Sequence, residues 1–247
     1  MSDDLVHGAD ADADALREYA ARYPEVVAAG SVRGALQAAA DRAGLGLAVE
    51  LTSSPGWRHV AAKVEAGGGR SADVIMLNGA ERHFAVDCWV GGIHMATGRA
   101  RDLAEVAGAF HAWVQGAGVR ELTARWPFLR TWELAEAHER GEADAVEARW
   151  RMMQRGPVPE RDADFRDLVR AAFAQPRLRA LSPGKSMWWF TLSRLAAQPV
   201  TGDFPRTRPL GRGRFEVTLA DRSVRVADGA AAAVAVNLDN LPPDVAR

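Results

Sequence analysis

The chain has 247 residues, enough for one large domain or two smaller ones, and its 48% hydrophobic and 26% charged content excludes wholesale disorder. A formal net charge of -1, with arginines and acids interleaved throughout, leaves no basic footprint for a nucleic-acid partner.

Residues 1–14, MSDDLVHGADADAD, read as a disordered acidic lead-in without the basic and apolar regions of a signal peptide. No uninterrupted apolar run approaches membrane-spanning length, so a soluble, cytoplasmic protein with no membrane partner is expected. Ala-rich helical patterns follow at 15–23 and 31–43, the second capped by Ser31 and stopped by Gly44. The period then changes, and short strands are predicted at 45–51, 57–66, 73–77, 82–90 and 93–97. The turn signals SSPG, EAGGGRS, NGAE and GG separate them into an antiparallel meander. A helix at 102–115 places Leu103, Val106, Ala107, Phe110 and Val114 on one stripe, suited to covering one face of the sheet. From 119 to 175 the pattern is helical, punctuated by Pro127, Gly141 and GPVP at 156–159. Strands return at 186–193, 214–219 and 223–226, and Asp228 is placed to cap a last Ala-rich helix.

Residues 82–98 (RHFAVDCWVGGIHMATG) and 213–229 (GRFEVTLADRSVRVADG) align without gaps, matching Phe84 to Phe215, Val86 to Val217, Ala96 to Ala227 and Gly98 to Gly229. Each reads as a hairpin followed by an amphipathic helix. The expected architecture is therefore α+β: antiparallel sheets built from two β-hairpin-helix units with a central helical insert. The expected division is 1–14 lead-in, 15–117 helices and meander, 118–176 helical insert, and 177–247 C-terminal hairpin-helix unit sharing the core.

Several chemical motifs fail on spacing. His138-Glu139-Arg140-Gly141-Glu142 resembles half of a zinc-protease helix, but Gly141 separates His138 from Glu142 and ends the helix between them. Gly184-Lys185-Ser186 lacks the first glycine of a phosphate loop, with Arg179 in its place, and leads into a strand. Asp10, Asp12 and Asp14 begin like a calcium loop, yet Ala15 replaces the turn glycine and Ala21 the closing glutamate. Cys88, the only cysteine, excludes an intrachain disulfide and a cysteine-cluster metal site, and reads as an inert core thiol. No metal or other cofactor is implied.

One constellation survives. Alternation along 82–90 puts Phe84, Val86, Cys88 and Val90 on one face and His83, Ala85, Asp87 and Trp89 on the other. The returning strand sends Ile93 and Met95 to the apolar set, so His94 joins Asp87 and Trp89. A histidine beside a carboxylate is the arrangement of a general base held in one tautomer. The alternative is an ordinary polar pair on a half-solvated sheet face. A second candidate is KSMWWFTLSR, 185–194, read as one strand with Trp188 and Arg194 on the same side. It offers either an aromatic platform for a ligand or core packing on both faces.

LTARWPFLRTWELAEAHERGEADAVEARWRMM (122–153), together with the Pro-x-x-Ser-x-Trp pattern of Pro183–Trp188 and Leu-Ser-Arg at 192–194, resembles a bacterial family of unknown function. Its members are described only as natural product biosynthesis proteins. The resemblance extends from about Leu45 to Leu241, and one departure is Met187, where the family often has a histidine before the tryptophan. It implies a pathway context and no reaction.

The expectation is a protein of natural-product biosynthesis, including ribosomal peptides, that binds a pathway peptide or small-molecule intermediate. A partner biosynthetic protein is compatible with this role. If it is an enzyme, His94 and Asp87 form the acid–base pair, Trp89 and Trp188 the walls, and Arg194 an anion anchor. The alternative is a non-catalytic scaffold, precursor-recognition or self-protection module, favoured by the lack of a complete catalytic signature.

Overall fold

A computed structural model describes residues 16, 18–52, 55–155, 163–196 and 202–245. The acidic lead-in at 1–14 and the GPVP turn at 156–159 lie outside them. The described residues form nine α-helices and two five-stranded antiparallel sheets, an α+β fold. None of these helices is long and apolar enough to cross a membrane. The chain divides into two compact units, Met1–Glu136 and Ala137–Arg247, each with its own hydrophobic core.

The first unit opens with helices α1 (Pro24–Ala28) and α2 (Val32–Arg42); the Ser31 side chain accepts from Gly34 N, and Gly44 turns left-handed at φ 65°. Residues 18–22, expected as helix, are turns, and Pro24 starts the helix that follows them. The meander comprises β1 (Ala61–Glu65), β2 (Arg70–Met76), β3 (Phe84–Val90), β4 (Ile93–Ala100) and β5 (Leu129–Arg130), paired in that order. Helices α3 (Leu103–Val114) and α4 (Val119–Arg125) lie between β4 and β5. Val64, Val74, Phe84, Val86 and Cys88 face the core with α2 and α3. Trp113 of α3 is wholly buried and donates from Nε1 to Ser71 O at 2.9 Å.

Two sequence expectations change here. Residues 45–51 make only a single bridge, Glu50 to Lys63. Several of their other backbone groups are tied to α2: the Gln37 amide bonds both Leu47 O and Val49 N, and Arg33 bonds Val49 O. Strand β5, hidden inside the predicted helical insert, pairs Arg130 with Thr97 and Leu129 with Gly98. Only glycine fits at 98, because a Cβ there would lie 2.1 Å from Phe128 O.

Helix α5 (Glu133–Arg140) spans the boundary between units. The second unit continues with α6 (Glu142–Arg155), α7 (Ala163–Phe173) and α8 (Pro176–Arg179). The strands β6 (Ser182–Ser186), β7 (Trp189–Ser193), β8 (Arg206–Gly211), β9 (Arg214–Thr218) and β10 (Val224–Asp228) follow, then α9 (Ala230–Asp239). These strands also pair in chain order. Phe190, Leu192, Phe215 and Val217 point into the core with Trp150 of α6 and Leu168 of α7.

The single strand expected at 186–193 is a hairpin: residues 187–188 form its turn, with Met187 at φ 53°. Its alternation therefore restarts at Trp189, and Trp188 shares no strand face with Arg194. Strand β8 escaped the sequence because Pro209 cannot donate to a ladder; the neighbouring β7 pairs with β8 only at Phe190–Thr207, so Pro209 interrupts little. Gly229, not Asp228, is the N-cap of α9.

Candidate functional site

The outward face of the first sheet carries one polar rung from edge to edge: Lys63, Asp73, Asp87, Thr97 and Arg130 are successive cross-strand partners. Period-two alternation explains this, since their sequence neighbours Val64, Val74, Val86 and Ala96 are buried. The β3–β4 turn is Gly91-Gly92, both at positive φ, the two-residue geometry that matches strand twist. It sets Trp89 opposite His94. Beyond that pair the register shifts by one, with Met95 buried at the bulge and its carbonyl accepting from Thr131 Oγ1 at 2.9 Å.

His94 Nε2 donates to Asp87 Oδ1 at 2.8 Å. In a neutral ring this bond places the proton on Nε2 and leaves Nδ1 as the basic nitrogen. Trp89 stacks on the imidazole, with centroids 4.4 Å apart and planes at 23°, and Trp132 meets it edge-on at 4.8 Å. The imidazole is thus fixed by one hydrogen bond and two rings, while the His94 side chain keeps 34% of its surface exposed. That combination, a restrained ring still open to solvent, is what a proton-transfer group requires.

Asp73 lies directly across from Asp87. Burial holds its carboxyl above the usual carboxylate range. The indole N–H of Trp89 pulls the other way, and the Asp87 charge adds to the rise. That N–H is buried and makes no hydrogen bond of good geometry. Lys63, the cation opposite Asp73, bonds Glu65 at 2.6 Å. Cys88 faces the core and burial pushes its thiol up to about 12, so it is no nucleophile.

Beside this cluster a groove of about 650 Å³ runs along the same face, bounded by Ala85, Thr97, Arg99, Phe128 and Arg130. Thr97 is its near end and the cross-strand partner of Asp87; two residues of β4, Met95 and Ala96, separate Thr97 from His94, a span of about 10 Å. Arg99 and Arg130 are exposed, and neither has a carboxylate partner among the described residues. The groove therefore offers two guanidinium groups to an anion on the same sheet face as His94.

Of the residues singled out by sequence, His94, Asp87 and Trp89 come together in the first unit. Trp188 and Arg194 belong to the second. Trp188 sits at the hairpin turn with 45% of its surface exposed, under the Lys185 amine at 5.0 Å. Arg194 is held by Asp244 at 2.7 Å and Asp203 at 2.8 Å, which raises its pKa further. Its charge is already matched within the chain. His138 lies on α5 and Glu142 on α6, with Gly141 at φ 130° between them, and the described residues hold no cluster of metal-ligating groups.

Asp73, Trp132, Arg99 and Arg130 are additions that the sequence reading missed. Asp73 was legible in principle, because alternation from Arg70 onward places it outward. Trp132 falls within the 119–175 span expected as helical, whereas it lies between the short strand β5 and α5, where its ring meets His94.

Residues 144–247 match the model of a family of unknown function (DUF6193). This match covers less than half of the chain and falls wholly within the second unit. None of the curated proteins or solved structures matches the chain.

Proposed function

We propose that the first unit is an acid–base site acting on a small anionic intermediate or peptide carboxylate of natural-product biosynthesis. His94 moves the proton, Asp87 orients it, and Trp89 and Trp132 wall it. Arg99 and Arg130 hold the anion. The observation that carries the reading is the 2.8 Å His94–Asp87 bond inside an aromatic frame. The pathway context rests on the sequence resemblance alone. A positioned general base contributes roughly 10²–10⁴ in rate, so its loss is measurable even where binding survives.

The test is deletion of the gene in its source organism, followed by complementation with the wild-type or His94→Gln protein and metabolite profiling by mass spectrometry. The expected result is one accumulating intermediate in the deletion strain, cleared by the wild type and not by His94→Gln. Folding of the variant is checked by its thermal transition. Clearance by His94→Gln at the wild-type rate would overturn the acid–base role.

That outcome would favour a second reading, a non-catalytic recognition module. Its supporting feature is the β6–β7 hairpin tip, where Met187 is 85% exposed beside Trp188.

A further inference from the structure

The second unit contains a groove of its own, about 430 Å³ in volume. Its floor is apolar: Leu192, Phe204 and Leu219, all buried members of that unit's core, line it. Arg206 and Arg222 stand at its rim, both exposed. Of the acids nearby, Asp221, next to Arg222, accepts from Ser223 N at 2.8 Å and Ser223 Oγ at 2.6 Å, and two others are committed to other arginines. Glu216 bonds Arg208 at 2.8 Å, and Asp203 bonds Arg194 at 2.8 Å. Arg206 and Arg222 have no carboxylate partner among the described residues.

Two features show how these cations are presented. The Arg206 guanidinium lies over the Trp189 ring, 4.5 Å from its centroid, with Arg208 at 4.7 Å over the same ring. Stacking restrains the planar group and leaves its edge N–H groups available for a bidentate acceptor. Arg222 sits in the β9–β10 turn at φ 69°, a left-handed backbone that glycine or asparagine adopts at less cost. A bulky side chain kept in such a conformation next to a cavity points to a role for that side chain.

We infer that this groove binds a small organic anion, with its apolar body on the Leu192–Phe204–Leu219 floor and its carboxylate or phosphate between Arg206 and Arg222. The volume suits a ligand of modest size. An oxyanion meeting two guanidinium groups gains charge-assisted hydrogen bonds, and the floor adds apolar burial that free inorganic anions cannot use. The inference is independent of His94 and of the chemistry of the first unit.

The experiment is NMR of the arginine Nε–Hε signals in ¹⁵N-labelled full-length protein, assigned with Arg206→Gln and Arg222→Gln. The titrants are acetate, hexanoate and hexyl phosphate, with sodium chloride at matched ionic strength. Saturable shifts of the Arg206 and Arg222 signals are expected with hexanoate or hexyl phosphate and not with chloride. Affinity should rise from acetate to hexanoate by up to about fourfold per buried methylene. The stronger of the two hexyl ligands identifies the headgroup. Each variant should weaken binding roughly tenfold, the effect of losing one charge-assisted contact, while Arg212→Gln, in the β8–β9 turn, should not. Absence of a saturable shift at Arg206 with both hexyl ligands overturns the inference, as does wild-type affinity in Arg206→Gln. If that variant fails to fold, the wild-type titration and Arg222→Gln decide the question.

Discussion

In both units a five-stranded antiparallel meander buries one face with helices, and in both the last hairpin before a helix puts a phenylalanine and a valine into the core: Phe84 and Val86 in one, Phe215 and Val217 in the other. The outward faces differ. In the first, two carboxylates and a histidine gather under tryptophans. In the second, arginines stack on Trp189 with one glutamate between the strands. Inward positions are constrained by volume and recur; outward positions are free of that constraint and take on separate chemistry. Architectural likeness is thus no guide to what each face does.

The aligned glycines offer the largest test of how deep the likeness runs. Gly98 is required by the close approach of Phe128 O, whereas Gly229 is required by its φ of 88° at the N-cap of α9, where a Cβ would meet nothing. Gly98→Ala should cost about 2–3 kcal/mol by forcing β5 away from β4, read as a lowered urea midpoint and lost amide protection at Gly98 and Arg130. Gly229→Ala should cost less, about 1–2 kcal/mol of backbone strain alone. Equal costs would mean that the two positions do the same job, contrary to this geometry.

The smallest effects concern pH, and the two units should respond in opposite directions. Asp73 in the first unit has its folded-state carboxyl raised by burial, so the folded protein binds this proton more readily than the unfolded chain. Its contribution to stability improves as pH falls through the folded value and levels off below the unfolded value near about 3.9. His138 in the second unit is lowered, first by burial and then by Arg149, with Glu142 opposing. Its contribution is intact above about 6.5 and is lost as pH falls from there toward the folded value. Urea midpoints measured across the mildly acidic range should therefore show less acid gain in Asp73→Asn and less acid loss in His138→Gln. Changes of the opposite sign would show that other groups dominate.

Much of this was legible in the sequence. The strands β3 and β4, the helix expected at 102–115, the outward placing of Asp87 and the break at Gly141 all follow from period and turn residues. What was not legible depended on distant partners. Gln37 and Arg33 draw residues 45–49 out of the sheet through side-chain bonds that no local pattern reveals. The turn at Met187 has no glycine to announce it. Strand β5 is two residues long and takes its identity from Gly98, some thirty positions earlier in the chain. The groove arginines matter only once β5 brings Arg130 beside Thr97.

The bulge at Met95 has a consequence for how the first site is encoded. Strict alternation outward from Thr97 would send His94 into the core; one extra residue in β4 restores it to the side of Asp87. The imidazole's position therefore depends on the parity of a residue count as much as on any side chain. Every amino acid of the site could be kept and the site still erased by removing one neighbour, so for this unit a change in length is a more drastic edit than a change in identity.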